Sequence, residues 1–138
     1  MTVALHNQSG SILVVEDDIR ALDALTELLE ASGYSVQRAQ NGEEALAQAK
    51  GRPPGMILLD LSMPVMDGWE FMRQQRLEPS IAGIPVVVIT AKDLTEDDRS
   101  RLNGGVERII QKSDRDEMLR QLTREISKCV KRQTARGA

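Results

Sequence analysis

The sequence predicts an α/β fold: a doubly wound, five-stranded parallel sheet with helices on both faces. Its length of 138 residues suits a single domain with an ordinary hydrophobic core. Short runs of β-branched and aliphatic residues alternate strictly with segments of helical spacing. Because the connections between them are short, this alternation favours right-handed crossovers between parallel strands.

The predicted strands are continuous apolar runs, which are typical of strands that are buried on both faces. The first run, SILVV, lies at Ser11–Val15. The other four are Tyr34–Ala39, Met56–Leu59, Pro85–Ile89 and Val106–Ile110.

The first two predicted helices are marked by apolar spacing and by residues that start or end helices. Gly33 ends the first helix. Asn41 caps the second helix, which ends at Gly51. The apolar positions that share one face of the first helix are Leu22, Leu25 and Leu29.

The next two helices carry clear signals at one or both ends. The third is predicted over Asp67–Leu77, with Trp69 and Met72 facing inward. Thr95 and Asp98 form the pattern of a capping box at the start of a fourth, very polar helix.

The fifth helix is predicted over Asp114–Val130. Its apolar stripe includes Cys129, which we interpret as a core residue rather than a reactive thiol. Charges of both signs alternate along it, which indicates a solvated face, with a symmetric homodimer as the alternative. These charged residues are Asp116, Glu117, Arg120, Arg124, Glu125 and Lys128. We expect a domain over 11–130 between an N-terminal tail, 1–10, and a C-terminal tail, 131–138.

Charge and composition exclude several classes of protein. With 18 basic and 21 acidic residues the net charge is −3, whereas nucleic-acid binding usually needs a basic surplus. No apolar run approaches the length of about 20 residues that a membrane-spanning helix requires. The N-terminus lacks the pattern of a secretory signal, and the single cysteine excludes an internal disulfide. We therefore expect a cytoplasmic protein that binds neither nucleic acid nor membrane.

Charged or hydroxyl side chains follow four of the five predicted strands. Glu16 and Asp17 follow the first strand, Asp60 the third, Thr90 the fourth and Lys112 the fifth. In an open parallel sheet these strand ends meet at one edge, where binding sites form. Three carboxylates would repel one another there, and a hard divalent cation such as Mg²⁺ would relieve the repulsion. Taken alone, the acids after the first strand also fit N-capping of the first helix.

A carboxylate beside such an ion can act as a nucleophile toward a phosphoryl group, whose charge a lysine and a hydroxyl help to spread. The segments that carry these residues closely resemble the receiver domain of two-component response regulators, over 11–130. ILVVEDD, LLDLSMPVMDG, VVVITAK and IIQKS stand in the family's order and spacing. The resemblance implies that Asp60 accepts the phosphoryl group, with Thr90 as the switch hydroxyl and Lys112 as the site lysine.

The resemblance also implies a metal site, a strand order and partners. Mg²⁺ would be bound by Asp17, Asp60 and the Ser62 carbonyl, with Glu16 acting more through water. The fold would be flavodoxin-like, with strand order 2-1-3-4-5. A sensor histidine kinase or a histidine phosphotransfer protein would donate the phosphoryl group, because the only histidine, His6, lies in the N-terminal tail. The chain would act as a phosphoacceptor switch rather than an enzyme, with self-catalysed phosphotransfer, slow autodephosphorylation and output through a downstream protein.

Two residues depart from the family's pattern. Ser113 follows Lys112 where the family often has proline, so we expect a trans peptide bond there. Ile109 stands where the family usually places Tyr or Phe, whose ring moves inward when the switch hydroxyl turns toward the phosphate. An isoleucine is smaller and has no hydroxyl, so the output mechanism is expected to differ.

Three alternatives stay open at this point. The chain is either a stand-alone receiver, which Met1 and the short tail favour, or the receiver of a larger hybrid kinase. A docking module that works without phosphorylation is opposed by the intact set of site residues. A metal-dependent phosphatase or hydrolase would need a further acid or base and a substrate pocket.

Overall fold

A computed structural model describes residues 11–91, 93–112 and 115–137, except for the side chains at 115 and 129–137. The predictions for the N-terminal tail, His6, Ser113 and the side chain of Cys129 lie outside the described residues.

The strands lie where the apolar runs predict them. They are β1 (Ile12–Val15), β2 (Val36–Ala39), β3 (Met56–Leu59), β4 (Val86–Thr90) and β5 (Arg108–Gln111). All pairs of neighbouring strands are parallel, and the order β2-β1-β3-β4-β5 confirms the predicted fold. Thr90 and Gln111 end strands rather than follow them, and β5 begins at Arg108 rather than Val106. Differences of one or two residues are usual at the ends of short elements.

The helices are α1 (Ile19–Ala31), α2 (Gly42–Gly51), α3 (Gly68–Leu77), α4 (Glu96–Leu102) and α5 (Arg115–Gly137). The predicted end signals are confirmed: Gly33 has a φ of 94°, Asn41 caps α2, and Thr95 begins a capping box. The end predicted for α5 at Val130 is wrong, because the following residues all tolerate helix and the first glycine is Gly137.

Alternate residues of each strand point to opposite faces of the sheet, so the structure has two cores. The core on one face joins the strands to α1 and α5, and includes Ile12, Val14, Leu22, Leu25, Leu122 and Ile126. The core on the other face joins them to α2, α3 and α4, and includes Leu13, Val15, Ala45, Phe71, Met72 and Leu102. None of the helices among the described residues is both long enough and apolar enough to cross a membrane.

The inner face predicted for α3 is confirmed, because Met72 is buried and Trp69 is half-buried against the same core. Phe71, which the prediction did not name, is fully buried. One burial prediction on α5 is wrong. Glu125 was assigned to a solvated face of α5 but is 2% exposed. It lies between the core residues Leu122 and Ile126, and its carboxylate is paired with two basic side chains.

Candidate functional site

The parallel strands bring the predicted site residues to one edge of the sheet. Glu16 directly follows β1. The Asp60 N–H donates to the Val15 carbonyl at 3.1 Å, and the Lys112 N–H donates to the Thr90 carbonyl at 3.0 Å. These bonds continue the ladders past the strand ends, so the sheet itself fixes the backbone positions of the site residues.

Three carboxylates form a cluster at this edge, as the sequence predicts. One carboxylate oxygen from each of Glu16, Asp17 and Asp60 lies within 4.8 Å of the other two. Glu16 and Asp60 are buried, whereas Asp17 is exposed. Asp18 plays a different part, because its side chain caps α1 by accepting from the Arg20 N–H at 2.9 Å. The capping interpretation therefore holds for Asp18 and not for the clustered acids.

The cluster carries more negative charge than its lysine offsets. Lys112 donates to the Glu16 carboxylate, and its Nζ lies 3.9 Å from Asp60 Oδ2. Burial raises the pKa of Glu16 above its ordinary value, the hydrogen-bonded Asp60 carboxyl raises it further, and Lys112 acts in the opposite direction. Among the described residues, the Lys112 ammonium group pairs with two of the three clustered carboxylates, those of Glu16 and Asp60.

This donor set fits a hard divalent cation. Carboxylate oxygens are the ligands that Mg²⁺ prefers, and a cation would relieve the repulsion among the three carboxylates. The backbone of Ser62 lies beside the cluster, since its N–H donates to Asp60 Oδ1 at 3.3 Å.

The loop after β3 is packed tightly against the first turn of α3. A β-carbon at Gly68 would lie 2.6 Å from the Asp60 carbonyl oxygen and 2.9 Å from Leu61 Cα. Val65, in the same loop, has a φ of 69°, a left-handed conformation that is uncommon for a β-branched residue. Gly68 was not among the predicted site residues. Its signal is a glycine at the first helical position, directly after the capping Asp67.

The two positions with expected switching roles lie on the neighbouring strands. Thr90 is 1% exposed and ends β4. Ile109 on β5 is half-buried and packs against the core shared with α2, α3 and α4. Beside it lies a cavity of about 380 Å³ that Leu102 and Val106 also line. The smaller side chain at position 109 therefore adjoins open space next to α4.

The fold agrees with comparisons to known proteins. The response regulator receiver domain family matches residues 12–124, so the chain belongs to this family. Receiver domains are phosphoacceptor switches of response regulator signalling rather than classical enzymes. The polar-differentiation response regulator DivK of Brucella anthropi is 34% identical over 102 residues, which are 74% of this chain and 83% of DivK.

Two further comparisons concern longer or multidomain proteins. The gliding motility regulatory protein of Myxococcus xanthus is 33% identical over 103 residues, 75% of this chain, but the chain spans only 13% of that protein. A signal receiver domain of a signal transduction histidine kinase from Syntrophus aciditrophicus superposes with a TM-score of 0.76 at 30% identity. That match covers 88% of this chain and 89% of the other.

Proposed function

We propose that this chain is a phosphorylation-activated switch that accepts a phosphoryl group on Asp60 in a Mg²⁺-dependent reaction. The donor is a phosphohistidine of a sensor histidine kinase or of a histidine phosphotransfer protein. The observation that carries the proposal is the position of Asp60, which is buried, clustered with Glu16 and Asp17, and 3.9 Å from Lys112 Nζ. The proposed domain extends over residues 11–130. The proposed location of the protein is the cytoplasm.

Asp60 acts as the nucleophile in this proposal. One of its carboxylate oxygens forms the new bond to phosphorus while the bond from phosphorus to the histidine nitrogen breaks, and the electron pair leaves with the imidazole. Asp60 Oδ1 accepts the Ser62 N–H at 3.3 Å, which holds the carboxylate in a fixed orientation. Lys112 offsets charge on the phosphoryl oxygens through its ammonium group.

Glu16, Asp17, Asp60 and the Ser62 carbonyl are the groups that would hold Mg²⁺, which when bound neutralises further charge on the transferring group. In this assignment Glu16 contributes more through water. Its shared hydrogen bond with Lys112 keeps that lysine beside the acceptor. In this proposal Glu16 thereby positions the Lys112 ammonium group and would also help to bind Mg²⁺.

Output through a protein partner follows from the weak attachment of α4. Leu102 is the only buried residue of this seven-residue helix, so its local opening costs little free energy. The phosphoryl group adds strong acceptors at the strand ends, toward which the Thr90 hydroxyl turns. Half-buried Ile109 lies beside the cavity next to α4, so the switch moves an aliphatic group rather than a ring.

The test is intact mass after incubation with a small phosphodonor, with and without Mg²⁺. The wild type is expected to gain a single phosphoryl group, and Asp60→Asn to gain none. Asp18→Asn is the matched control, because Asp18 is an adjacent acid that caps α1 and does not belong to the cluster. It is expected to react like the wild type.

A wild-type protein without an adduct is then tested for beryllofluoride binding, which mimics the phosphoryl group without a donor. Failure of both measurements contradicts the switch and favours a docking module that works without phosphorylation. Addition of the phosphoryl group to a residue other than Asp60 contradicts the assignment of Asp60 as the acceptor.

A further inference from the structure

A second cavity, of about 380 Å³, lies between α3 and α4. Trp69 and Met72 of α3 contribute apolar surface to it. Arg73, Arg76 and Arg101 contribute three guanidinium groups. The cavity belongs to neither the acid cluster nor the cavity beside β5, whose lining residues are different.

The acidic side chains that line this cavity are already engaged. Glu70 accepts from Arg73 Nη2 at 2.7 Å and from Gln74 Nε2 at 2.8 Å. The hydrogen bond from Arg73 lowers the pKa of Glu70, and the bond from Gln74 adds to this effect. Asp67 caps α3 by accepting the Glu70 N–H at 2.9 Å. Glu70 is therefore paired with Arg73, and neither lining carboxylate forms a described ion pair with Arg76 or Arg101, so the three guanidinium groups outnumber the two carboxylates.

The other two arginines are held in place without a carboxylate. The Arg101 guanidinium carbon lies 4.0 Å from the centre of the Trp69 ring. The Arg76 guanidinium lies directly over the backbone of Gly105, in the space that a side chain there would occupy. Across the described part of the chain, neither Arg76 nor Arg101 forms an ion pair with an acidic side chain. Two positioned cations thus flank an apolar surface.

We propose that this cavity binds an acidic segment of a partner protein that carries one large apolar side chain. The apolar side chain packs on the exposed part of Trp69, and flanking carboxylates pair with Arg76 and Arg101. The acidic segment and the arginines of the cavity are complementary in charge, because a carboxylate matches the planar guanidinium in a bidentate pair. The segment bridges α3 and α4, so its binding also fixes α4, which has a single buried residue.

The site is tested with a capped synthetic peptide of Glu and Asp residues around a central Leu. The control peptide has Gln and Asn at the acidic positions. Calorimetry measures affinity at low salt, and the fluorescence of Trp69, the only tryptophan, reports whether the peptide reaches the cavity. We expect saturable binding of the acidic peptide, weakened by added salt because the contacts are partly exposed.

Variants locate the binding. Arg76→Gln combined with Arg101→Gln is expected to weaken calorimetric affinity by about 10-fold, since two exposed charged contacts, each of modest strength, are lost together. Arg99→Gln is the control for the α4 position, because it removes one positive charge from this helix, as Arg101→Gln does, but at a residue that lines the other cavity. We expect its affinity to stay within about 2-fold of the wild type. Asp60→Asn is expected to bind like the wild type, which separates this inference from the proposed phosphorylation.

Three outcomes overturn the proposal. Equal binding of the acidic and amide peptides removes the role of charge. An equal loss in Arg99→Gln shows general attraction to α4 rather than a site. A concentration-dependent dimer in sedimentation, lost in the Arg76→Gln, Arg101→Gln variant, shows that a second copy of the chain occupies the cavity instead.

Discussion

Two glutamates, Glu16 and Glu125, are equally buried at 2% exposure but lie in opposite electrostatic surroundings. Glu16 has two acidic neighbours within 4.8 Å and one lysine partner. Glu125 has two cationic partners, Arg108 Nη1 at 3.8 Å and Lys128 Nζ at 3.3 Å. Burial alone therefore does not say whether an acid stabilises a fold.

Glu125 is thus an acid that stabilises the fold, whereas Glu16 belongs to a cluster whose surroundings favour a bound cation. The Glu125 pairs tie α5 to β5 and leave no uncompensated negative charge. The Glu16 cluster is electrostatically unfavourable until more positive charge arrives, which is a property of sites that bind cations and trade stability for function. Changes in the charges around either glutamate are therefore expected to alter the free energy of unfolding.

The largest effect is expected from Lys112→Ala. Lys112 is the cation paired with both Glu16 and Asp60, and its loss leaves buried like charges uncompensated, at a cost of about 3 kcal/mol near neutral pH. Arg108→Ala is expected to cost about 1 kcal/mol or less, because Arg108 is solvated and Lys128 remains. Urea unfolding with a chelator present measures both, and equal losses would contradict the comparison.

Mg²⁺ is expected to stabilise the wild type by about 2.7 kcal/mol when its concentration is about 100 times Kd. The same gain is expected for Glu125→Gln, which leaves the acid cluster intact. Glu16→Gln is expected to gain less, because it removes one carboxylate from the site. Thermal unfolding across a Mg²⁺ titration checks this, and Ca²⁺-free buffers keep the measurement specific.

The same chemical change is expected to have opposite signs at the two glutamates. Without divalent cations, Glu16→Gln removes a like charge and raises the free energy of unfolding by about 1 kcal/mol. Glu125→Gln weakens two ion pairs and lowers it by about 1 kcal/mol, a small cost because both cations reach solvent. If both variants were destabilised, the attraction between Glu16 and Lys112 would be larger than the repulsion between Glu16 and the neighbouring acids.

The smallest expected effect is on pH dependence: the increase in the free energy of unfolding caused by Glu16→Gln should vary with pH. The pKa of Glu16 is raised in the folded protein, so the folded state binds its proton more readily than the unfolded state does. The stability that this carboxyl contributes is present below its unfolded pKa and is lost as pH rises through the folded pKa. The advantage of Glu16→Gln over the wild type should therefore be absent in acid and grow toward neutral pH, as paired unfolding curves would show.

The sequence predicts the sheet edge well because the chemistry there follows from topology. Parallel strands end at one edge of the sheet, and the strand order that the family resemblance implies makes β1 and β3 neighbours, so Glu16 and Asp60 were expected to meet. The caps at Asn41 and Thr95 were predictable because capping depends on residues only three positions apart. Local rules and one topological rule are enough for these features.

Burial on the helices was harder to predict because it depends on what packs above each residue. Gln75 is buried because its amide donates to the carbonyls of Ile81 and Ile84, and this polar position hid the stripe that contains Phe71. Glu125 interrupts an apolar stripe in the same way, with partners distant in sequence on β5 or one turn away. No periodicity argument supplies those partners.

The close approach at Gly68 has a consequence for how much this chain can vary. Because a β-carbon there would meet the Asp60 carbonyl and Leu61 Cα, every other amino acid at position 68 moves backbone rather than a flexible side chain. Mutational libraries across α3 should recover glycine alone at this position, while an exposed position of the same helix such as Arg73 accepts many residues. Asp60 and the helix that follows it are therefore inherited, or engineered, as one unit.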